Sequence, residues 1–268
     1  MSGNLRAEDY DWRCYAVDKL AKDVPPSSAG ATGHKAGSAV AVSIVARTKQ
    51  GEIVGFVAPS AVALAVNIAR RAADQAEALR AQLVQIDNIS PWGHSKSVAD
   101  ESLPQLFDYF ERCLTVATFS FQALETFAND FIRRLLQDGT YPYKTRKNKV
   151  EAWTAEKLER QASTKRKLGE VVPKLLGIGS PENKPVWTNF AALNEVRDAT
   201  IHIKAQDQHG LIRSERDLES QTLFHRFMHD DISEWPRNAV AMLAYYRHAI
   251  VNLPWYTRLL RDFGFETD

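Results

Sequence analysis

The 268-residue chain has room for one large domain or two modest ones, with ample length for a buried core. Its 44% apolar and 25% charged residues are those of an ordinary soluble globular protein. Two distant cysteines, Cys14 and Cys113, signal neither a disulfide framework nor a CxxC zinc site, and the net charge of +1 predicts nothing about partners until its distribution is read.

The opening "MSGNLRAEDYDWRC" carries charges where a secretion signal needs an apolar core, so a cytoplasmic setting is expected. A short helix is predicted over about residues 11–22. "DVPPSSAGATGHKAGS" then reads as a linker or mobile loop, with glycines and a lysine but not in the order of a phosphate-cradling loop. Val40, Val42 and Ile44 alternate, "TKQGE" supplies a turn and "IVGFV" follows, which predicts a β-hairpin over residues 39–57. Ser60 is placed as the N-cap of a helix running to about Ile86, with Leu64, Ile68, Leu79, Leu83 and Ile86 on its apolar face. The uncharged run over residues 53–69 is interrupted by Gly55, Pro59, Ser60 and Asn67. It falls short of the roughly 20 strongly apolar residues of a membrane span, so no membrane partner is expected.

"DNISPWGHSKS" breaks the chain and is taken as the boundary between an N-terminal region, residues 1–95, and a helical bundle, residues 104–268. The fold class expected is therefore mainly α, with a small N-terminal β-hairpin and helix. "LPQLFDYFERCLTVATFSFQALETFANDFIRRLLQ" spaces Leu106, Phe110, Leu114, Phe121, Leu124, Phe131 and Leu135 as one long helix. "DGTYPYKTRKNK" follows as a basic loop with Gly139 and Pro142 as breakers, and a helix is predicted from Thr154 to about Leu176. "GIGSPENKP" separates that helix from another opened by "VWTNF". A polar connection over residues 205–217 then leads to one or two further helices.

Between Arg133 and Lys174 stand twelve Lys/Arg against five Asp/Glu, a local balance of +7 in a chain whose total is +1. Such a concentration suits a polyanion partner, although a solvated helix face and loop would carry the same charges. Lys144, Arg146, Lys147, Lys149, Lys165, Arg166 and Lys167 are the candidate RNA-binding residues, with Tyr141 and Tyr143 available for base stacking. His225 and His229, four apart in "FHRFMHDD", share a helix face, but no glutamate of the H-E-x-x-H pattern lies between them, so neither a metal nor a cofactor is expected.

"NEVRDATIHIK" holds the most informative pair. Arg197 falls on the stripe Trp187, Phe190, Leu193, Arg197, Ile201, where a charge needs an anionic partner or a wet cleft. Asp198 and His202 are four apart, so a carboxylate beside an imidazole is expected, an arrangement that suits general acid–base work. The plainer alternative is an arginine snorkelling to solvent and a histidine resting in a last helical turn. Spacing alone carries little, because twenty Arg and seven His produce such pairs by accident.

"LNEVRDATIHIK" resembles the signature of the HEPN superfamily, Arg-x4–6-His with a polar residue directly after the arginine, here Arg197, Asp198 and His202. The layout over residues 104–250 is similar too, with Glu125 on a long preceding helix, "ASTKRKLGEVVPKLLG" between, and "VWTNFAAL" leading in. The resemblance implies a helical bundle that dimerises and, in active members, a metal-independent endoribonuclease whose Arg and His meet in a cleft between protomers. It further implies a toxin–antitoxin or antiviral-defence role, with RNA and an antitoxin or regulatory protein as partners. Inactive members instead bind RNA, nucleotides or a protein. The resemblance says nothing of the N-terminal region.

Overall fold

The computed structural model describes residues 10–15, 17–19, 23–26, 33–90, 93–145, 147–203, 207, 222–247 and 253–265. Among the described residues helix dominates, as the periodicity requires, and four two-stranded antiparallel sheets accompany it. The chain divides into two compact units, one formed by Met1–Leu64 with Ile250–Asp268 and the other by Ala65–Ala249. The division falls within a helix, where no composition break marks it.

In the smaller unit, β1 (Val17–Lys19) pairs with β2 (Ala39–Ala41), so the helix expected over residues 11–22 is not what forms. A turn held by the Asp11 carboxylate, which accepts from the Arg13 amide at 2.9 Å, leads into the strand instead. Of the loop expected next, residues 23–26 and 33–38 are described. Val24 bridges His34, and the Asp23 carboxylate accepts from the Ala36 amide at 2.7 Å. Of the hairpin predicted over residues 39–57, residues 43–57 form one, from β3 (Ser43–Arg47) and β4 (Ile53–Val57) with Gly51 at φ 89° closing its turn, whereas residues 39–41 pair with β1 instead. Helix α9 (Pro254–Asp262) also belongs to this unit.

Helix α1 (Ala61–Ala81) starts where Ser60 Oγ accepts from the Ala63 amide at 3.2 Å. Its buried face is a series of small residues, Val62, Ala65, Val66, Ala69, Ala72, Ala73 and Ala76, whereas Ile68 of the expected Leu/Ile face is exposed. Small side chains allow close backbone approach. The helix also ends five residues early, because Ile86 lies in β5 (Gln85–Ser90), which pairs with β6 (Gly93–Val98). The segment expected to be a domain boundary is thus a hairpin within the larger unit.

A three-helix core organises that unit: α2 (Leu103–Leu136), α6 (Pro185–Ile201) and α8 (Glu234–Tyr245) pack on one another. Between α2 and α6 come the hairpin β7 (Thr140–Lys144) with β8 (Val150–Thr154), then α3 (Ala155–Gln161), α4 (Thr164–Arg166), a π turn (Lys167–Val171) and α5 (Val172–Leu176). The single helix expected over residues 154–176 is interrupted at Ala162, and Ser163 caps its restart by accepting from the Arg166 amide at 3.3 Å. Helix α7 (Leu223–His229) precedes α8. The polar connection expected over residues 205–217 lies, apart from Asp207, outside the described residues. No described helix is long and apolar enough to cross a membrane.

Candidate functional site

Helix α6 brings the motif to the edge of the core. Its buried face is Phe190, Leu193 and Val196, with Trp187 and Arg197 half-buried beside them. Ile201, expected on this stripe, is instead 54% exposed because the helix is in its last turn there. The Arg197 guanidinium lies over the Phe121 ring of α2, its Cζ 4.6 Å from the centroid, and Phe121 is in turn stacked with Phe190 at 6.3 Å. Two carboxylates meet the same guanidinium. Asp198 Oδ1 accepts from Nη1 at 2.9 Å, and Glu125 Oε2 stands 4.0 Å from Nη2. The stripe arginine thus has the anionic partners that its burial demands.

The expected Asp198–His202 pairing does not form. Helix α6 stops at Ile201, and His202 takes φ −116° and ψ 57°, so its side chain leaves the i, i+4 register. Only its backbone amide reaches Asp198, donating to the carbonyl at 3.0 Å. The Asp198 carboxylate is occupied by Arg197 and by Asn194 Nδ2, which donates at 3.2 Å. The His202 imidazole is exposed and has no partner among the described residues. A helix end thus places an exposed imidazole five positions after a guanidinium held by an aromatic ring and two carboxylates.

The basic segment sorts into paired, buried and exposed charges. Arg133 pairs with Glu159, Arg134 with Asp130, Lys157 with Glu151, Arg160 with Glu156, and both Arg166 and Lys174 with Glu170. Lys167 is fully buried, with Nζ donating to the Glu159 carbonyl at 2.7 Å, so it is no surface contact. Arg166 is also committed, to Glu170, to the Lys144 carbonyl at 2.7 Å and over the Tyr143 ring at 3.9 Å. Tyr141 and Tyr143 are not free for base stacking. They alternate inward on β7, and Tyr143 stacks on Trp153 at 3.8 Å. Lys144, Lys147, Lys149 and Lys165 remain exposed and without an ion pair among the described residues; Arg146 lies outside them. The Arg166–Lys144 bond ties the end of α4 to the hairpin.

Comparison with family models, curated proteins and solved structures gives no match. His225 and His229 join no group of three or more metal-ligating side chains among the described residues, and the His229 Nδ1 sits 3.1 Å from Asp230 Oδ1. The Phe121 ring under Arg197 and the burial of Lys167 are not evident from motif spacing. Phe121 was legible only as a core residue. Lys167 carried a usable signal, since Thr164, Lys167, Leu168, Val171 and Val172 share one helical face and all are buried.

Proposed function

We propose that the chain is a metal-independent endoribonuclease of the HEPN type, acting as a homodimer in a toxin–antitoxin or antiviral setting. The observation that carries the proposal is Arg197, braced on Phe121 beside two carboxylates near the end of α6, with the exposed His202 five positions later. In this reading the imidazole takes the proton of a ribose 2′-hydroxyl as its oxygen bonds to the adjacent phosphorus. The P–O5′ bond breaks, and the 5′ oxygen leaves with a proton. Arg197 stabilises the charge of the pentacoordinate phosphorus. One Arg and one His per chain are few for both proton transfers, so a two-fold dimer would bring two pairs together. A binding-only function for RNA or protein is favoured by one observation, the occupation of Arg197 by Asp198.

The test is cleavage of single-stranded RNA in chelator, with any antitoxin removed. Wild type is expected to leave 2′,3′-cyclic phosphate ends. His202→Ala is expected to lose about 10²–10⁴ in rate with helicity unchanged, because the imidazole is exposed and packs little. Equal inertness of wild type and variant would leave the binding function in its place. A strict monomer at micromolar concentration that still cleaves would remove the dimer.

A further inference from the structure

The hairpin of β3 and β4 is apolar on both faces and open on both. On one face Val45 and Ile53 are 69% and 66% exposed, and on the other Ile44, Val54 and Phe56 are each more than two-fifths exposed. Contiguous apolar surface of this kind marks a contact site. The ladder is fixed by two bonds, Thr48 N donating to the Glu52 carbonyl at 2.8 Å and Ala58 N to the Val42 carbonyl at 2.7 Å. Bonded and non-bonded pairs alternate between antiparallel strands, so Ala46–Val54 and Ile44–Phe56 are the bonded pairs between those two. The amides and carbonyls of Ile53, Gly55 and Val57 therefore point away from β3, along an edge that no other strand among the described residues occupies. Natural edges are blunted by a charge, a proline or a bulge. Over Ile53–Val57, β4 has none of these, and its central Gly55 has no side chain to hold another backbone off.

We propose that β4 pairs with β4 of a second copy of this chain, antiparallel about a two-fold axis at Gly55. Gly55 then faces its own counterpart, Ile53 faces Val57 and Val54 faces Phe56, so the residues that must exchange backbone bonds are all drawn from the outward-pointing set. A slip of one residue would set inward-pointing groups against outward-pointing ones. The strand that fits β4 is uncharged, apolar on both faces and small at its centre, and β4 itself is such a strand. Arg47, Lys49 and Glu52 lie at or beside the turn, and the two-fold sends the two turns to opposite ends, so no like charges meet. Two exposed strands become half of a four-stranded sheet, a size at which an apolar face can be held stably. An edge of five residues buries less than the roughly 800 Å² per partner of a standard interface, so the association is weak and concentration-dependent. The contact does not depend on the ribonuclease reading.

The experiment oxidises the full-length Gly55→Cys protein, in a Cys14→Ser background, with copper phenanthroline. Bonded partners stand about 5.5 Å apart at Cα, within reach of a disulfide. Gly55 has no left-handed φ and a Cβ there would meet nothing within 4 Å, so the substitution suits the fold. A reducible covalent dimer is expected from Gly55→Cys, and none from the background alone or from Lys49→Cys at the turn. In sedimentation from about 1 µM to about 1 mM, Gly55→Glu and Gly55→Lys should each weaken self-association about tenfold or more, because like charges then stand opposite one another. An equal mixture of the two variants should recover it. A Gly55→Cys chain that does not link, or a mixture that associates no better than either variant alone, overturns the proposal. A monomeric wild type whose hairpin binds phosphatidylcholine vesicles also overturns it and gives the patch to lipid. A linked dimer with an RNA-inert wild type sinks the ribonuclease reading alone, and an active wild type whose Gly55→Cys variant never links sinks the hairpin contact alone.

Discussion

Glu170 sits one helical turn from two cations, with Arg166 Nη2 at 2.8 Å and Lys174 Nζ at 3.1 Å. Burial alone would raise its carboxyl. The hydrogen bonds from Arg166 and Lys174 outweigh that and hold it below the ordinary carboxylate value of 4.5. A carboxyl depressed on folding contributes stability that is present above its unfolded value and is lost as pH falls through the folded one. Glu170→Gln should therefore cost about 1 kcal/mol near neutral pH and nothing once pH has fallen well below 4. Urea midpoints at both pH values check this, and an equal loss at both would show packing rather than charge at work. Legibility at this scale followed side-chain neighbours. The need of Arg197 for anions could be read from its stripe, but Glu125 lies 72 positions upstream and only the packing of α2 on α6 brings it near.

The elements between α2 and α6 diverged most from expectation, and each divergence has a local cause. Pro142 and Gly139 suggested a loop, yet "TYPYK" alternates with period two, and Tyr141 and Tyr143 bury one face while Thr140, Pro142 and Lys144 face out. The π turn arises around Pro173. In its register the Val172 amide donates to the Lys167 carbonyl, and the next donor would be Pro173, which has no N–H. The Leu168 and Gly169 carbonyls, five and four residues before it, take side-chain donors instead: Tyr246 Oη at 2.5 Å and Ser180 Oγ at 2.6 Å. Those partners lie far along the chain, so helical periodicity could not announce the turn. Gly169 is held by sterics, since a Cβ there would stand 2.8 Å from the Trp187 ring at the start of α6. Gly169→Ala should accordingly destabilise by about 1–3 kcal/mol as the indole is forced aside. Gly179→Ala, whose nearest new neighbour would be the Tyr245 hydroxyl at 3.8 Å, should stay within about 0.5 kcal/mol. Denaturant midpoints that move alike for the two variants would refute the steric account.

At the scale of the whole molecule, the mainly helical character and the hairpin ending at Val57 were legible because both rest on periodicity within short windows. The division into two units was not, because it runs through α1 and joins residues from both ends of the chain. Charge behaved similarly. The surplus between Arg133 and Lys174 suggested seven RNA-binding residues, but ion pairs, including those from Asp130 and Glu170, consume much of it. What remains exposed and unpaired among the described residues of that set is Lys144, Lys147, Lys149 and Lys165. If RNA is the partner, its phosphates should therefore feel the hairpin tip more than the helix face. Reversing Lys147 and Lys149 to glutamate should lower affinity for single-stranded RNA and reduce the slope of log K against log salt by about 1–2, given roughly 0.7 per phosphate neutralised. Reversing Arg160, already paired with Glu156, should change that slope less. Single-turnover cleavage of saturating RNA should be unaffected by the hairpin change, because Arg197 and His202 are untouched. An affinity and salt slope identical to wild type would place the RNA elsewhere on the surface, whereas a slower chemical step at saturation would mean that the hairpin reaches the reacting phosphate itself.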